Sequence, residues 1–286
     1  MVDWWNGLTH RPLKATFTGS NPVSITISFL RSLVLLFCII ELMKINAKEI
    51  KLISSIKNSL YDDLKIEFLY HSNHLEGSTF TKENIEQLLF EKKVSGVHYL
   101  DDVIETRNSL NVFNMVINDC CKQLDKFMLF AWQKELKKDS VDEEINNTGC
   151  FKKYENRLRG FDLKLGSPAS VDSLMFNLLT DYNETLNLTI EDIALFHYRF
   201  ELIHPFQDGN GRIGRFIILI QCIDNNIDLI TIDNMYKDEY KNALYKAQKY
   251  DDISDLIYVF KKCQNRLDEK LTSYNDMLKT IKNEVN

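Results

Sequence analysis

The sequence predicts an all-α protein, on three observations. Apolar residues recur at three-and-four spacing through most of the 286 residues, glycine (10) and proline (4) are scarce, and the 44% hydrophobic content suffices for a sizeable core. The length allows one large domain or two small ones. A formal charge of -6, with no long basic run, carries no electrostatic footprint for nucleic acid, so no nucleic-acid partner is expected. The six cysteines form neither a C-x-x-C pair nor a regular framework; they are expected to be reduced, in a cytoplasmic setting.

Residues 1 to 42 differ in character from the rest of the chain. They hold Trp4, Trp5, Pro12, Pro22 and an apolar stretch, Val23 to Ile40, that Arg31 interrupts. A spanning helix needs about 20 mostly apolar residues, so membrane association is not expected. No small-residue cleavage site comes after it, as a signal peptide would require. The stretch reads as an upstream leader without a catalytic role, and Met43 as an alternative start.

From Asn46 to about Asp119 the spacing predicts consecutive helices. Ile50, Ile53, Ile56, Leu60, Leu64 and Phe68 share one stripe, broken at Glu76-Gly77-Ser78. Thr81-x-x-Asn84 opens a further helix, and Asp101 to Asp119 another. Phe127 to Lys138 is a helix ending in charge; 139 to 148 is polar and expected to be exposed. Between Gly149 and Gly166 the period changes, with Phe151, Tyr154, Leu158, Phe161, Leu163 and Leu165 among three glycines, and a short β-hairpin is predicted. Helix resumes over Val171 to Leu179. Thr189-Ile-Glu-Asp192 resembles a capping box and starts a helix through Ile193, Phe196, His197, Phe200 and Ile203, which Pro205 ends. Asp238 to Gln248 and Asp255 to Tyr274 are the last helical stretches. The divisions expected are 1–42, 43–120, 121–262 and 263–286.

The functional signal is His204-Pro-Phe-Gln-Asp-Gly-Asn-Gly-Arg-Ile-Gly-Arg215, with the apolar run Phe216 to Ile220 directly after it. Its glycines fall at a helix N-terminus, where unpaired N–H groups and the helix dipole favour an anion. Arg212 and Arg215 share a face of the first turn, and guanidinium forks grip phosphate. Gly209-x-Gly211-x-x-Gly214 also fits the dinucleotide fingerprint, but that motif needs a buried strand before its first glycine, and this segment is amphipathic with helical spacing. A Walker A loop fails for want of Gly-Lys-Ser/Thr. A metal trio of His197, Glu201 and His204 is a weaker competitor without supporting ligands, and His197 reads as a packed structural histidine. A plain surface turn would not need a histidine and two arginines around three glycines.

The stretch resembles the signature of Fic-domain proteins, H-x-F-x-D/E-G-N-G-R-x-x-R, at every fixed position. Ser72-x-x-x-Glu76-Gly77 resembles the inhibitory motif of the class whose inhibitory helix is N-terminal, and Asp101-Asp102-x-x-Glu105-x-x-Asn108 is similar to a stretch of that class. The resemblance covers about Met43 to Lys262. It implies a Fic-type helical fold with a small β-hairpin flap, and transfer of AMP from ATP to a Ser, Thr or Tyr hydroxyl of a target protein, with self-modification. By the same resemblance His204 is the general base, Asp208 the Mg²⁺ ligand, and Gly209, Asn210 and Gly211 donors to the phosphates. Arg212 would meet the β phosphate and Arg215 the γ phosphate, with Phe206 anchoring the loop. A kinase-like toxin branch has lysine at the position of Gly211. Tyr240-Lys241-x-x-Leu244 would line the adenine side, with Lys241 in place of a second tyrosine. Leu158, Arg159, Gly160 and Phe161 would be the target-docking face of the flap. Glu76 paired with Arg215 would block productive γ-phosphate binding. Two other functions fit the same pocket: a hydrolase that removes AMP, and a nucleotide-binding regulatory module. A homodimer is left open.

Overall fold

The computed structural model describes residues 44–145, 147–158, 160 and 162–271. The leader and the end of the last predicted helix lie outside them. Helices α1 (Ala47–Ile53), α2 (Leu60–Glu76), α3 (Lys82–Glu86) and α4 (Leu100–Asp119) come first. A π-helical turn, Gln87–Glu91, extends α3. Next come α5 (Lys126–Leu136), α6 (Val141–Glu144), α7 (Val171–Glu184), α8 (Ile190–Ile203), α9 (Asn210–Asp224), a 3₁₀ turn (Asn234–Tyr236), α10 (Lys237–Tyr250) and α11 (Ser254–Leu271). Among the described residues no helix is long and apolar enough to cross a membrane.

The starts of these helices are written in their caps. Asn46, Thr81 and Thr189 each close a capping box with the residue three on, so first-turn N–H groups and the cap's own N–H are satisfied reciprocally. Helix α9 is buried on all sides: Ile213 and Phe216 to Ile220 are all in the core, as are the polar Arg212, Arg215 and Gln221. Such a helix belongs at the centre, and α2, α4, α5 and α8 pack around it. Helix α2 contributes Leu64, Phe68, Leu69 and Leu75 to the same core, with the Phe68 ring 5.0 Å from that of Phe216. The chain preceding the signature is thus helix, and the strand demanded by a dinucleotide fold is missing from this place.

The described residues of the polar stretch 139–148 are exposed or half-exposed, as expected, except Asn147, which is buried with its N–H on the Asp142 carbonyl; residues 141–144 form the short α6. One expectation changes. The hairpin predicted between Gly149 and Gly166 does not form: among the described residues there is no strand. Its backbone donors are used elsewhere. Lys152 N–H bonds the Pro205 carbonyl at 2.8 Å, Gly166 N–H the Leu202 carbonyl at 3.1 Å, and Gly149 N–H the Gln133 side chain at 2.6 Å. The apolar alternation that suggested a strand instead places Phe151 against Phe130 and Phe206.

Candidate active site

Helix α8 ends one residue before His204. His204 takes a left-handed backbone (φ 50°), and its N–H bonds the Phe200 carbonyl. This strained cap, uncommon outside glycine, turns the chain sharply into the loop. Phe206 is fully buried beside Phe130 and Phe151, so it anchors the loop from below. Asn210 closes it: its Oδ1 accepts from Phe206 N–H and its Nδ2 donates to the Phe206 carbonyl, both at 2.8 Å. The Asn210 side chain is therefore committed to the loop. What faces outward is the main chain at the start of α9, whose first-turn N–H groups have no intrahelical carbonyl.

Over that helix start lies Glu76, the last residue of α2, where Gly77 (φ 106°) ends the helix in the left-handed conformation. Glu76 Oε1 is 2.6 Å from Arg215 Nη2. The same guanidinium donates to the Ser72 hydroxyl (2.9 Å) and the Ser72 carbonyl (3.0 Å). A Cβ on Gly211 would come within 2.6 Å of Glu76 Oε1 and 3.1 Å of Arg215 Nη1, so only glycine leaves room for this carboxylate. Burial alone would raise the Glu76 pKa, but Arg215 and Arg212 outweigh it and hold the carboxyl below its usual range. The anion position of the helix N-terminus is taken by a side chain of the protein itself.

Asp208 is half exposed, and its Oδ2 stands 2.5 Å from the Lys137 ammonium. Burial would raise its pKa; Lys137 more than offsets this and holds it low. Arg212 makes a two-pronged contact with Glu105 from α4, at 2.8 and 3.3 Å. His204 is mostly buried. Burial, then the charge of Lys152, lowers its pKa to about 4, so the imidazole is neutral at physiological pH.

A cavity of about 250 Å³ opens beside these groups, lined by Leu75, Glu76, Leu158, Glu201, His204, Gly211, Arg215, Tyr240, Lys241, Leu244, Tyr245 and Gln248. A second, of about 240 Å³, lies on the far side of Glu76 and reaches Glu105 and Arg212. So His204, Gly211, Arg215, Tyr240, Leu158 and Glu76 line one cavity. Ser72 lies behind Arg215, and Gly160 keeps a left-handed backbone (φ 83°) beyond Leu158. Arg159 and Phe161 lie outside the described residues. The His197, Glu201 and His204 trio is not a metal site: His197 Nε2 bonds the Tyr240 hydroxyl at 2.7 Å, and among the described residues no group of three or more His, Cys, Asp or Glu can hold a metal ion. A single carboxylate such as Asp208, completed by substrate phosphates, is an ordinary Mg²⁺ ligand set, and a cationic group already rests on it.

Several participants are not evident from sequence. Lys137 and Gln133 sit four apart on α5 and hold Asp208 by side chain and carbonyl (Gln133 Nε2 to Asp208 O, 3.4 Å). Lys152 and Asn156 stitch the 152–156 segment to the carbonyls of Ile203 and Phe206. Glu105 stands out in the sequence only as part of a similar stretch. The i, i+4 spacing of Gln133 and Lys137 is readable, but nothing local says which loop they face.

Residues 123–222 match the model of the Fic/DOC family. A probable protein adenylyltransferase of Aquifex aeolicus is 30% identical over 129 residues, 39% of each chain. Protein adenylyltransferase fic-1 of Caenorhabditis elegans is 30% identical over 84 residues, 28% of this chain and 16% of that one. The chain thus spans well under half the length of either relative. Among solved structures, Fic-1 of C. elegans aligns with a TM-score of 0.65 at 15% identity, over 91% of this chain and 78% of that one. A Fic-domain signalling protein of Bacteroides thetaiotaomicron aligns at 0.61 and 23% identity, over 82% and 97%. At these identities the structures speak for the fold, and the family match speaks for the signature helix and the residues before it: residues 123–222 of this chain carry a Fic domain of the Fic/DOC family.

Proposed function

We propose that the protein is an autoinhibited protein adenylyltransferase that moves AMP from ATP to a hydroxyl of a protein target, itself included. The observation that carries this reading is the Glu76 carboxylate seated on Arg215 over Gly211, where an anionic ligand of the α9 N-terminus would sit. When Glu76 swings aside, Arg215 is free for the γ phosphate, and the β phosphate would take the place of Glu105 on Arg212. The first-turn N–H groups of α9 then stabilise charge that develops on the phosphates. Tyr240, Lys241 and Leu244 line the side of the cavity that would take the base. Asp208 would hold Mg²⁺, whose contribution is neutralisation of phosphate charge.

In the transfer, the target's hydroxyl oxygen bonds to the α phosphorus. The bond from that phosphorus to the α–β bridging oxygen breaks, and pyrophosphate leaves. The hydroxyl proton passes to His204, which the buried, neutral imidazole can accept. The 149–166 segment, pinned to the loop through Lys152 and to the end of α8 through Gly166, would present Leu158, Arg159, Gly160 and Phe161 to the target. The names of the two relatives favour transfer over removal of AMP.

Incubation with ATP labelled at the α or the γ phosphate tests this reading. Glu76→Gly is expected to put α-label on protein roughly tenfold or more faster than the parent, and no γ-label. Glu76→Gly with His204→Ala should lose that transfer. Equal labelling by parent and Glu76→Gly would remove the inhibitory role, and γ-label on protein would make the enzyme a kinase.

A further inference from the structure

Lys137 closes α5 with its ammonium out of solvent and three carboxylates around it. Asp208 Oδ2 lies at 2.5 Å, Glu105 Oε1 at 3.1 Å and Asp142 Oδ2 at 3.1 Å. These come from three places in the chain: the signature loop, α4 and α6. Glu105 in turn binds Arg212. Gly209 permits the approach, since a Cβ there would come within 3.1 Å of Leu136 and 3.9 Å of the Lys137 stem. Each charged group assigned above to the nucleotide and its metal is therefore satisfied from within: Arg215 by Glu76, Arg212 by Glu105 and Asp208 by Lys137.

We propose that Lys137 is a positioning residue that acts as a resident cation on Asp208, so that a divalent ion binds there only together with a nucleotide triphosphate. The proposal rests on Asp208 being the metal ligand in the reading above. An ammonium stripped of solvent could not leave one carboxylate for nothing. Glu105 and Asp142 remain as its partners when Asp208 turns to the metal, so the exchange breaks one ion pair and leaves no bare charge. Bare Mg²⁺ brings no phosphate to replace Glu105 on Arg212 and dehydrates reluctantly. It competes poorly with a tethered ammonium. A triphosphate supplies the missing ligands and displaces the carboxylate from the arginine at the same time.

Binding of Mn²⁺ to the full chain without nucleotide, read from the electron paramagnetic resonance signal of the free ion, tests this without any transfer step. A failed transfer assay would therefore not touch the result, nor would its failure sink the transferase. The parent and Asp208→Asn should bind Mn²⁺ equally weakly. Lys137→Met should bind it roughly tenfold or more tightly, and Lys137→Met with Asp208→Asn should lose the gain. The proposal is overturned if the parent binds nucleotide-free Mn²⁺ in a way that Asp208→Asn abolishes, if folded Lys137→Met shows no gain, or if the gain survives the double variant. Should Lys137→Met fail to fold, the parent and Asp208→Asn comparison still decides.

Discussion

At the scale of single residues, burial and pairing decide which groups carry charge. Glu201 lines the active-site cavity, is almost wholly buried, and its Oε1 has no hydrogen-bond partner. Burial pushes its pKa up to about 8, against an ordinary 4.5; Arg215 counteracts only in part. Folding therefore binds a proton that the unfolded chain has released. Between those two values its contribution to stability falls as pH rises. The buried His197 and His204, with lowered pKa values, act in the opposite direction, so the difference between parent and variant is what isolates Glu201. In thermal melting from pH 5 to pH 8, Glu201→Gln, the isostere of the protonated acid, should gain on the parent as pH rises; a constant gap would mean Glu201 does not titrate in that range. Glu76 has the opposite sign. Its folded pKa is depressed, so its contribution is present above the ordinary carboxylate range and disappears as the folded carboxyl is protonated in acid.

At the scale of elements, α8 and α9 meet at Gly214. A Cβ there would stand 2.5 Å from Glu201 Oε1 and 3.0 Å from His197 Cε1, two side chains of α8 that are both buried. Gly214→Ala should destabilise by about 1–3 kcal/mol in denaturant unfolding, as overpacked cores do; a neutral result would mean the helices can part. Gly77→Ala acts differently. Nothing crowds that position, so the penalty is backbone strain at φ 106°, about 1–2 kcal/mol. The helices are legible in the sequence because their caps and stripes are local: Thr81 with Asn84, Thr189 with Asp192, and the apolar run of α9. The signature is legible for the same reason, since twelve adjacent residues hold base, carboxylate, glycines and arginines. The 149–166 segment misleads because Phe151 is apolar to pack on Phe130 and Phe206 while Tyr154 stays exposed, so the alternation says nothing of whether a ladder forms. Lys137 and Glu105 are not legible as site residues because their meaning depends on contacts 71 and 107 residues away along the chain.

At the scale of the molecule, Glu76 sits at the tip of a helix packed into the common core. Leu64, Phe68, Leu69 and Leu75 bury α2 in the common core, and His71 and Asn73 are buried beside them. On the proposed reading, activation requires only the Glu76 side chain to move, with α2 staying in place. Hydrogen exchange should accordingly show equal protection for Leu64 to Leu75 in the parent and in Glu76→Gly; faster exchange in the variant would point to release of the helix. The central claim is that the arginine gripped by Glu76 belongs to an ATP-using transfer site served by His204. Intact-protein mass spectrometry after incubation with ATP and Mg²⁺ tests it most directly. The account predicts an unchanged parent, a Glu76→Gly protein heavier by one or more AMP groups, and no gain when His204→Ala is added. An unmodified Glu76→Gly protein, or AMP addition that survives the loss of His204, would contradict it.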